Sequence, residues 1–409
     1  MLRLIFCCLL LGVGLPDAVW AQESMEGQWE AAIQCPGGEI RFGIDMQRSD
    51  TGQWQAWLTN GEERIAVPKV QIDQKQIVLE IDHFDSQLKL SPVADQHWQG
   101  KWRKRRTASD YLTMDVKAER VDETNSPETL PVAANDFIGR WEVQFSSSED
   151  PAVGIFQRRG ERVHGTFLTT TGDYRYLDGT IQEIKGKDRM ILSCFDGAHA
   201  FLFHAEVEAD DHLQGDFWSS DKWHETWTAV RNSQAELPDD FRQTITKEDP
   251  DWSTYQFPDL EGRSVSLSDP KFAGDVRIIY VFGSWCPNCH DAARFLSELD
   301  KVYGKQGLSI LGLAFELTGD QQRDAEQVRK YLERHGCQYP VLLAGLADKQ
   351  KASEVLPFLD RVRSFPTTIF LDHDGRVVAV HTGFTGPATG EAYDRLKTRF
   401  KEIIEKQLR

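Results

Sequence analysis

Ile278-Ile279-Tyr280-Val281-Phe282-Gly283-Ser284-Trp285-Cys286-Pro287-Asn288-Cys289 decides how this chain is read. Its first five residues are an unbroken apolar run, which predicts a buried strand. Beyond Cys289, Phe295, Leu296, Leu299, Val302 and Tyr303 recur at helical spacing. Two cysteines three apart therefore stand where a strand gives way to a helix. Cys286 would lie at the helix N-terminus, where unpaired N–H groups and the macrodipole favour a thiolate. Cys289 lies one turn further on, close enough to close a small disulfide ring. That arrangement predicts dithiol redox chemistry.

Outward from this stretch, Phe257 to Leu267 reads as a hairpin turning at Glu261-Gly262. Leu308 to Phe315 predicts a second buried strand. Asp320 to His335 predicts a helix ended by Gly336, and another helix spans about Lys349 to Leu359. Thr367 to Leu371 and Arg376 to Thr382 predict two strands joined by Asp372-His373-Asp374-Gly375. Thr389 to Leu408 predicts a closing helix. Strands joined first by helical crossovers and then by a hairpin give a mixed sheet covered on both faces.

The N-terminal half has a different texture, with a faint internal repeat. Gly27-Gln28-Trp29-Glu30 returns as Gly139-Arg140-Trp141-Glu142, and Gln99-Gly100-Lys101-Trp102 as Gln214-Gly215-Asp216-Phe217-Trp218. Leu58-Thr59-Asn60 matches Leu168-Thr169-Thr170, and Ile77-Val78-Leu79 matches Met190-Ile191-Leu192. Short alternating runs punctuated by Gly, Asp and Asn predict two antiparallel β sandwiches or small barrels. Trp29, Trp102, Trp141 and Trp218 recur at repeat positions, which predicts core packing. Two polar stretches, 119–135 and 232–250, read as linkers.

Residues 1–21 read as a secretory leader. Arg3 supplies the charge, Leu4 to Leu15 the short apolar core, and Val19-Trp20-Ala21 a cleavage site. The expected organisation is thus a leader at 1–21, β modules at 22–118 and 136–231, linkers at 119–135 and 232–250, and an α/β domain at 251–409. A formal net charge of -17 argues against nucleic acid as a partner and disfavours an anionic membrane surface. No later segment reaches membrane-spanning length, so no stable membrane insertion is expected once the leader is cleaved. Five cysteines remain beyond the leader: Cys35, Cys194, Cys286, Cys289 and Cys337. They are too few for a disulfide-stapled scaffold, so the fold must rest on hydrophobic cores.

Residues 251–409 resemble the thioredoxin superfamily, and within it the exported TlpA- and ResA-like thiol–disulfide oxidoreductases. The resemblance rests on the leading hairpin, the strand into Trp285-Cys286-Pro287-Asn288-Cys289, Phe365-Pro366-Thr367-Thr368 before a strand, the Asp372–Gly375 turn, and an insert ending Gly336-Cys337-Gln338-Tyr339-Pro340. It implies that Cys286 is the nucleophile and that Cys289 releases the product. It also implies that Pro366 is a cis-proline facing the dithiol, with the Phe365 backbone free to pair with a substrate strand. Trp285 and Pro287 would border that substrate site. Tyr280 stands where thioredoxin has a buried aspartate, so that base is missing. Glu316, at the end of a strand, fits the place of the glutamate carried by TlpA- and ResA-like proteins and would take the proton from Cys289. Ser364 stands where the family often has glycine.

The expectation is therefore a multidomain, exported, periplasmic thiol–disulfide oxidoreductase. Its partners would be protein thiols and disulfides and an upstream redox protein. No cofactor or metal is expected. Cys286-Pro287-Asn288-Cys289-His290 formally matches a haem attachment motif, but the surroundings favour the dithiol reading. No second CxxC or HxxxH pair completes a zinc site. His290 could tune the dithiol electrostatically or face solvent. The rival readings are a binding or scaffold protein with a regulatory redox domain, and a thiol peroxidase.

Overall fold

A computed structural model describes residues 25–73, 75–94, 96–121 and 136–408. The leader expected at 1–21 and most of the linker expected at 119–135 lie outside the described residues.

The first sheet is a nine-stranded antiparallel meander. Its strands are β1 (Gly27–Cys35), β2 (Gly38–Arg48), β3 (Trp54–Asn60), β4 (Glu63–Ala66), β5 (Lys69–Ile72), β6 (Ile77–Ile81), β7 (Ser86–Ala94), β8 (His97–Arg105) and β9 (Tyr111–Arg120). The second sheet also has nine: β10 (Gly139–Phe145), β11 (Ala152–Arg159), β12 (Arg162–Thr169), β13 (Gly172–Asp173), β14 (Leu177–Ile184), β15 (Lys187–Phe195), β16 (Ala200–Ala209), β17 (His212–Ser219) and β18 (Trp223–Arg231). Both sheets pair their first strand with their last, and the order around each is the same. In the second, β12 pairs with both β11 and β14, which closes an eight-stranded barrel with β13 as a short appendage. In the first, β4 and β5 do not pair with each other, and Pro68, which has no N–H to give, sits between them. Of the two architectures that the alternation allowed, the second module takes the barrel.

The two sheets start alike. Gly27 and Gly139 both hold φ of 127°, a conformation closed to side chains. Two residues on, the Trp29 indole donates to the Met25 carbonyl at 3.1 Å and the Trp141 indole to Phe137 at 2.9 Å. Trp102 is in the core as expected, but Trp218 is not in the core of its own barrel. Side chains alternate along a strand, so Phe217, two residues after Gly215, takes the inward place that Trp102 takes two after Gly100. Trp218 points out of the barrel and packs against the first sheet, where a side chain at Gly37 would collide with its ring.

The third part is a five-stranded mixed sheet with helices. The hairpin β19 (Gln256–Pro258) and β20 (Ser264–Ser266) leads into β21 (Val276–Phe282), α1 (Pro287–Tyr303), β22 (Leu308–Glu316), α2 (Gln321–His335) and β23 (Val341–Leu346). Then come α3 (Lys349–Val355), β24 (Thr367–Leu371), β25 (Val377–Thr382) and α4 (Glu391–Gln407). The sheet order is β23-β22-β21-β24-β25, with β21, β22 and β23 parallel and β24 and β25 antiparallel to their neighbours. β23 is a strand that the sequence reading did not single out. α3 is shorter than expected, because Leu356 precedes Pro357 and is pushed out of helical geometry.

The stretch 232–250, whose composition read as a linker, is laid along this α/β fold from Asp239 onward. Asp240 accepts from the buried His381 ring at 2.8 Å, and its carbonyl accepts from the Thr382 N–H at 3.1 Å. Thr244 and Thr382 share a hydroxyl hydrogen bond of 2.7 Å, and Thr246 bridges to Leu359.

Candidate active site

Apart from Arg277 near its start, β21 is apolar, because both its faces are covered. It delivers the chain to Gly283, where a side chain would strike the Trp285 indole. The turn closes through the Cys286 N–H donating to the Gly283 carbonyl at 3.1 Å. Pro287 opens α1 at a position that needs no N–H, and Cys286 is the N-cap. The Cys286 sulfur accepts the Cys289 N–H at 3.3 Å. Cys286 is only 6% exposed and Cys289 fully buried. Burial pushes the Cys289 thiol well above its usual range, and the hydrogen bond and charge of Cys286 add to that shift. All five described cysteines are free thiols.

Opposite the dithiol, the Phe365–Pro366 peptide is cis. The Cys286 thiol donates to the Phe365 carbonyl at 3.4 Å. Trp285 stands edge-on to Phe365 with ring centroids 5.7 Å apart, and its indole N–H is held by the Phe315 carbonyl at 2.9 Å. Cys286, Cys289, Trp285, Phe365 and Pro366 are thus gathered in one place, with Pro287 buried beneath the first turn of α1.

Glu316, the last residue of β22, is buried at the foot of the same turn. Burial raises its carboxyl to about 8, against the opposing pull of Ser284. Its oxygens accept from the Ser284 N–H at 2.8 Å and the Ser284 hydroxyl at 2.7 Å. Its hydrogen bonds therefore reach the dithiol turn through Ser284. Two residues that the sequence reading did not place in the site hold Cys289. Tyr280 and Tyr331 both donate to the Cys289 carbonyl, at 2.8 and 2.7 Å. Burial keeps both phenols protonated, so Tyr280 is a fixed donor where thioredoxin would have a base.

His290 does not face solvent. It is buried, with its Nε2 2.7 Å from the Ser284 carbonyl and its Nδ1 2.6 Å from His335 Nε2. Its ring packs on His83 and Phe84 from the turn between β6 and β7. Burial, with His335 and His83 beside it, holds its pKa well below the usual value, so it is neutral rather than a cation tuning the dithiol. A neutral ring that donates to Ser284 must accept at Nδ1, which assigns the proton of that contact to His335.

The site is also where all three parts of the molecule meet. Asp291, just past the first turn of α1, is ion-paired with Arg175 of the second barrel, and Arg175 reaches Glu63 of the first sheet at 2.6 Å. Burial opposes the Arg175 charge, but Glu63, Asp173 and Asp196 outweigh it and hold the guanidinium charged. The β12–β13 hairpin lies beside the dithiol. The Ser364 hydroxyl donates to the Thr171 carbonyl at 2.8 Å, the Asn288 amide to the Asp173 carbonyl at 3.4 Å, and the Gly386 N–H to the Asp173 carboxylate at 2.6 Å. Nothing local in the sequence marks Thr171, Gly172, Asp173 or Arg175. They lie more than a hundred residues from the dithiol and reach it only through the docking of the barrel.

Among solved structures, the chain is similar to a thiol:disulfide interchange protein of the thioredoxin family from Chlorobium tepidum. That match has 20% identity and a TM-score of 0.29, and covers 38% of this chain and 93% of that one. Among curated proteins it is similar to the thiol–disulfide oxidoreductase ResA of Geobacillus thermodenitrificans, 32% identical over 125 residues, and to that of Geobacillus kaustophilus, 31% identical over 125 residues. Each match takes in 31% of this chain and 63% of the relative's length. Residues 237–396 match the Redoxin family model, beginning within a few residues of where the polypeptide is first laid onto the α/β fold. The C-terminal region of this chain is a Redoxin domain, homologous to the ResA thiol–disulfide oxidoreductases.

Proposed function

We propose that this chain is an exported thiol–disulfide oxidoreductase that uses Cys286 and Cys289 to reduce or exchange disulfides in protein substrates. One observation carries the reading. Cys286 caps α1 with its sulfur 3.3 Å from the Cys289 N–H and 3.4 Å from the Phe365 carbonyl. The Cys286 thiolate attacks one sulfur of a substrate disulfide; a new S–S bond forms, and the other substrate sulfur leaves as a thiolate. Cys289 then gives up its proton and attacks the Cys286 sulfur. The mixed disulfide breaks, the second substrate thiolate leaves, and a Cys286–Cys289 disulfide remains. The substrate has gained two electrons and the chain has lost two, which an upstream dithiol protein restores.

In this reading Glu316 is the proton acceptor for Cys289. Its carboxyl is pushed up to about 8, so the smaller fraction that is ionised near neutral pH is basic enough to accept that proton. Its two hydrogen bonds to Ser284 hold the carboxyl at the foot of the dithiol turn. Trp285, Pro287, Phe365 and Pro366 border the place where the substrate docks. The regions 22–118 and 136–231 act as two copies of one β module, a view supported by their shared strand order. Residues 1–21 act as the export signal, and the compartment is the periplasm. No helix among the described residues is long and apolar enough to cross a membrane.

The test uses two variants of the full chain. Cys286→Ser should abolish reduction of a protein disulfide supplied with a dithiol donor. Cys289→Ser should accumulate a mixed disulfide between Cys286 and substrate, visible by mass spectrometry. Exchange that survives in Cys286→Ser would sink the reading.

A further inference from the structure

A disulfide that reacts with Cys286 must bring a sulfur into line with Sγ, and in the closed molecule little surface is open for that approach. Cys286, Ser364, Phe365 and Pro366 are all buried. Part of what covers this region comes from the second barrel. The hairpin β12–β13, whose register pairs Thr169 with Gly172, turns through Thr170 and Thr171. Its backbone is wedged between the two halves of the dithiol site. On one side, a side chain at Gly172 would collide with the Asn288 amide, inside the Cys286–Cys289 turn. On the other, a Cβ at Gly383 would come within 2.6 Å of the Thr171 backbone. Ser364, next to the Phe365 carbonyl that Cys286 touches, spends its hydroxyl on the Thr171 carbonyl.

From this arrangement we infer that the Thr169–Gly172 turn is a specificity element: seated, it bars extended polypeptide disulfides from Cys286 and admits only slim ones, and polypeptide exchange requires the turn to lift. The inference rests on the dithiol reading above.

The matching turn of the first sheet shows what a fixed joint looks like in this molecule. Asn60, at the same place in the repeat as Thr170, exchanges two hydrogen bonds with the Phe195 backbone, at 3.0 and 2.9 Å. That joint satisfies both ends of the amide. The joint at the dithiol does not. With the hairpin seated, Asn288 Oδ1 and Arg175 Nε are buried without a hydrogen-bond partner. An unsatisfied buried polar atom is a penalty that water would relieve once the turn lifts. The seated state is thus held by the Arg175–Asp291 pair and three hydrogen bonds, against a penalty that opening removes. This is the condition for a segment that opens locally while the barrel stays folded.

The experiment compares two maleimides on the reduced full chain: N-ethylmaleimide and a maleimide carried on a long polyethylene glycol. Peptide mass mapping reads modification at Cys286. In the wild-type chain the small reagent should reach Cys286 far faster than the polymer. Gly172→Val, which pushes the turn off Asn288, should narrow the gap about tenfold, the shift expected when roughly 1.4 kcal/mol of docking is lost. Asp173→Ala removes the hydrogen bond to Gly386 without adding atoms and should act in the same direction, which guards against a Gly172 variant that fails to fold. Equal access of both reagents in the wild-type chain, or an unchanged gap in the folded variants, overturns the inference. The two readings fail separately. A chain whose Cys286 is shielded and then released, yet exchanges no disulfide, would overturn the proposed function and leave the shield standing.

Discussion

Glu316 shows how burial at a single residue becomes a property of the whole fold. Its carboxyl is pushed up to about 8 by desolvation, from about 4.3 in the unfolded chain. Between those values the folded chain holds a proton that the unfolded chain has lost. Stability therefore falls as pH rises across that window, by at most about 1.4 kcal/mol per pH unit for this group. Glu316→Gln keeps an acceptor for the Ser284 N–H, replaces the oxygen that accepts from the Ser284 hydroxyl with an amide that can donate to it, and cannot ionise. The variant should match the wild-type melting temperature near pH 5 and exceed it by several degrees near pH 9; a difference that does not change with pH would show that Glu316 carries no such shift. Alkylation gives a second residue-scale test. Cys289 is fully buried with its pKa raised, so brief alkylation of the reduced chain at mild pH should label Cys286 first. Preferential labelling of Cys289 would reverse the proposed roles. The positions of Cys286, Cys289, Pro366 and Glu316 were legible because each sits at the end of a strongly apolar strand or in a short motif. The surroundings of His290 were not, since His83 and His335 reach it from distant parts of the chain.

At the scale of elements, apolar runs and turn residues located most of the α/β fold, and one departure has a local cause. Val341–Leu346 is a short apolar run beginning just after Pro340, and periodicity alone does not separate a strand from a buried helical segment at that length. The closure of the second barrel by β12 on β14 is a pairing that no short-range pattern encodes. Composition reads 232–250 as a linker, and part of that stretch does more than connect. It is polar and contains Pro238, yet Asp240 and Thr244 satisfy buried groups of β25. A chain beginning at Lys247 would leave the fully buried His381 ring and the Thr382 N–H and hydroxyl without these partners. At about 1 kcal/mol or more for each lost partner, it should be less stable than a chain beginning at Leu237 by about 3 kcal/mol. Denaturant melts of the two fragments measure that difference directly. Equal midpoints with equal slopes would mean that the segment only rests on the surface.

At the scale of the whole molecule, the joint between the first sheet and the Redoxin domain carries its own dependence on pH. His83 comes from the turn before β7, His290 from α1 and His335 from the end of α2, and the three rings pack together. Burial holds all three below the usual histidine range. Arg334 adds to the shift of each, Arg294 to that of His335, and Asp196 opposes it at His83. Each ring is therefore neutral when docked and takes up a proton when exposed. The docked state is fully stable above the ordinary histidine pKa of about 6.5 and loses stability as pH falls below it. Other contacts cross the same face without a histidine. The Gln327 amide donates to the Asp82 carbonyl at 3.0 Å, and Arg323 pairs with Asp85. Acid should thus loosen the joint before it unfolds the barrels. A pair of pyridyl disulfides, one small and one carried on polyethylene glycol, reads this cleanly, because both depend alike on the Cys286 thiolate and their rate ratio cancels it. From pH 7.5 to pH 5 the polymer should gain on the small reagent, with circular dichroism unchanged. In His83→Phe, which keeps the packing and removes one titrating ring, the gain should shrink. A ratio that stays flat across that range in the wild-type chain would mean that the histidine joint does not control access to the dithiol, and that the hairpin contact governs it alone.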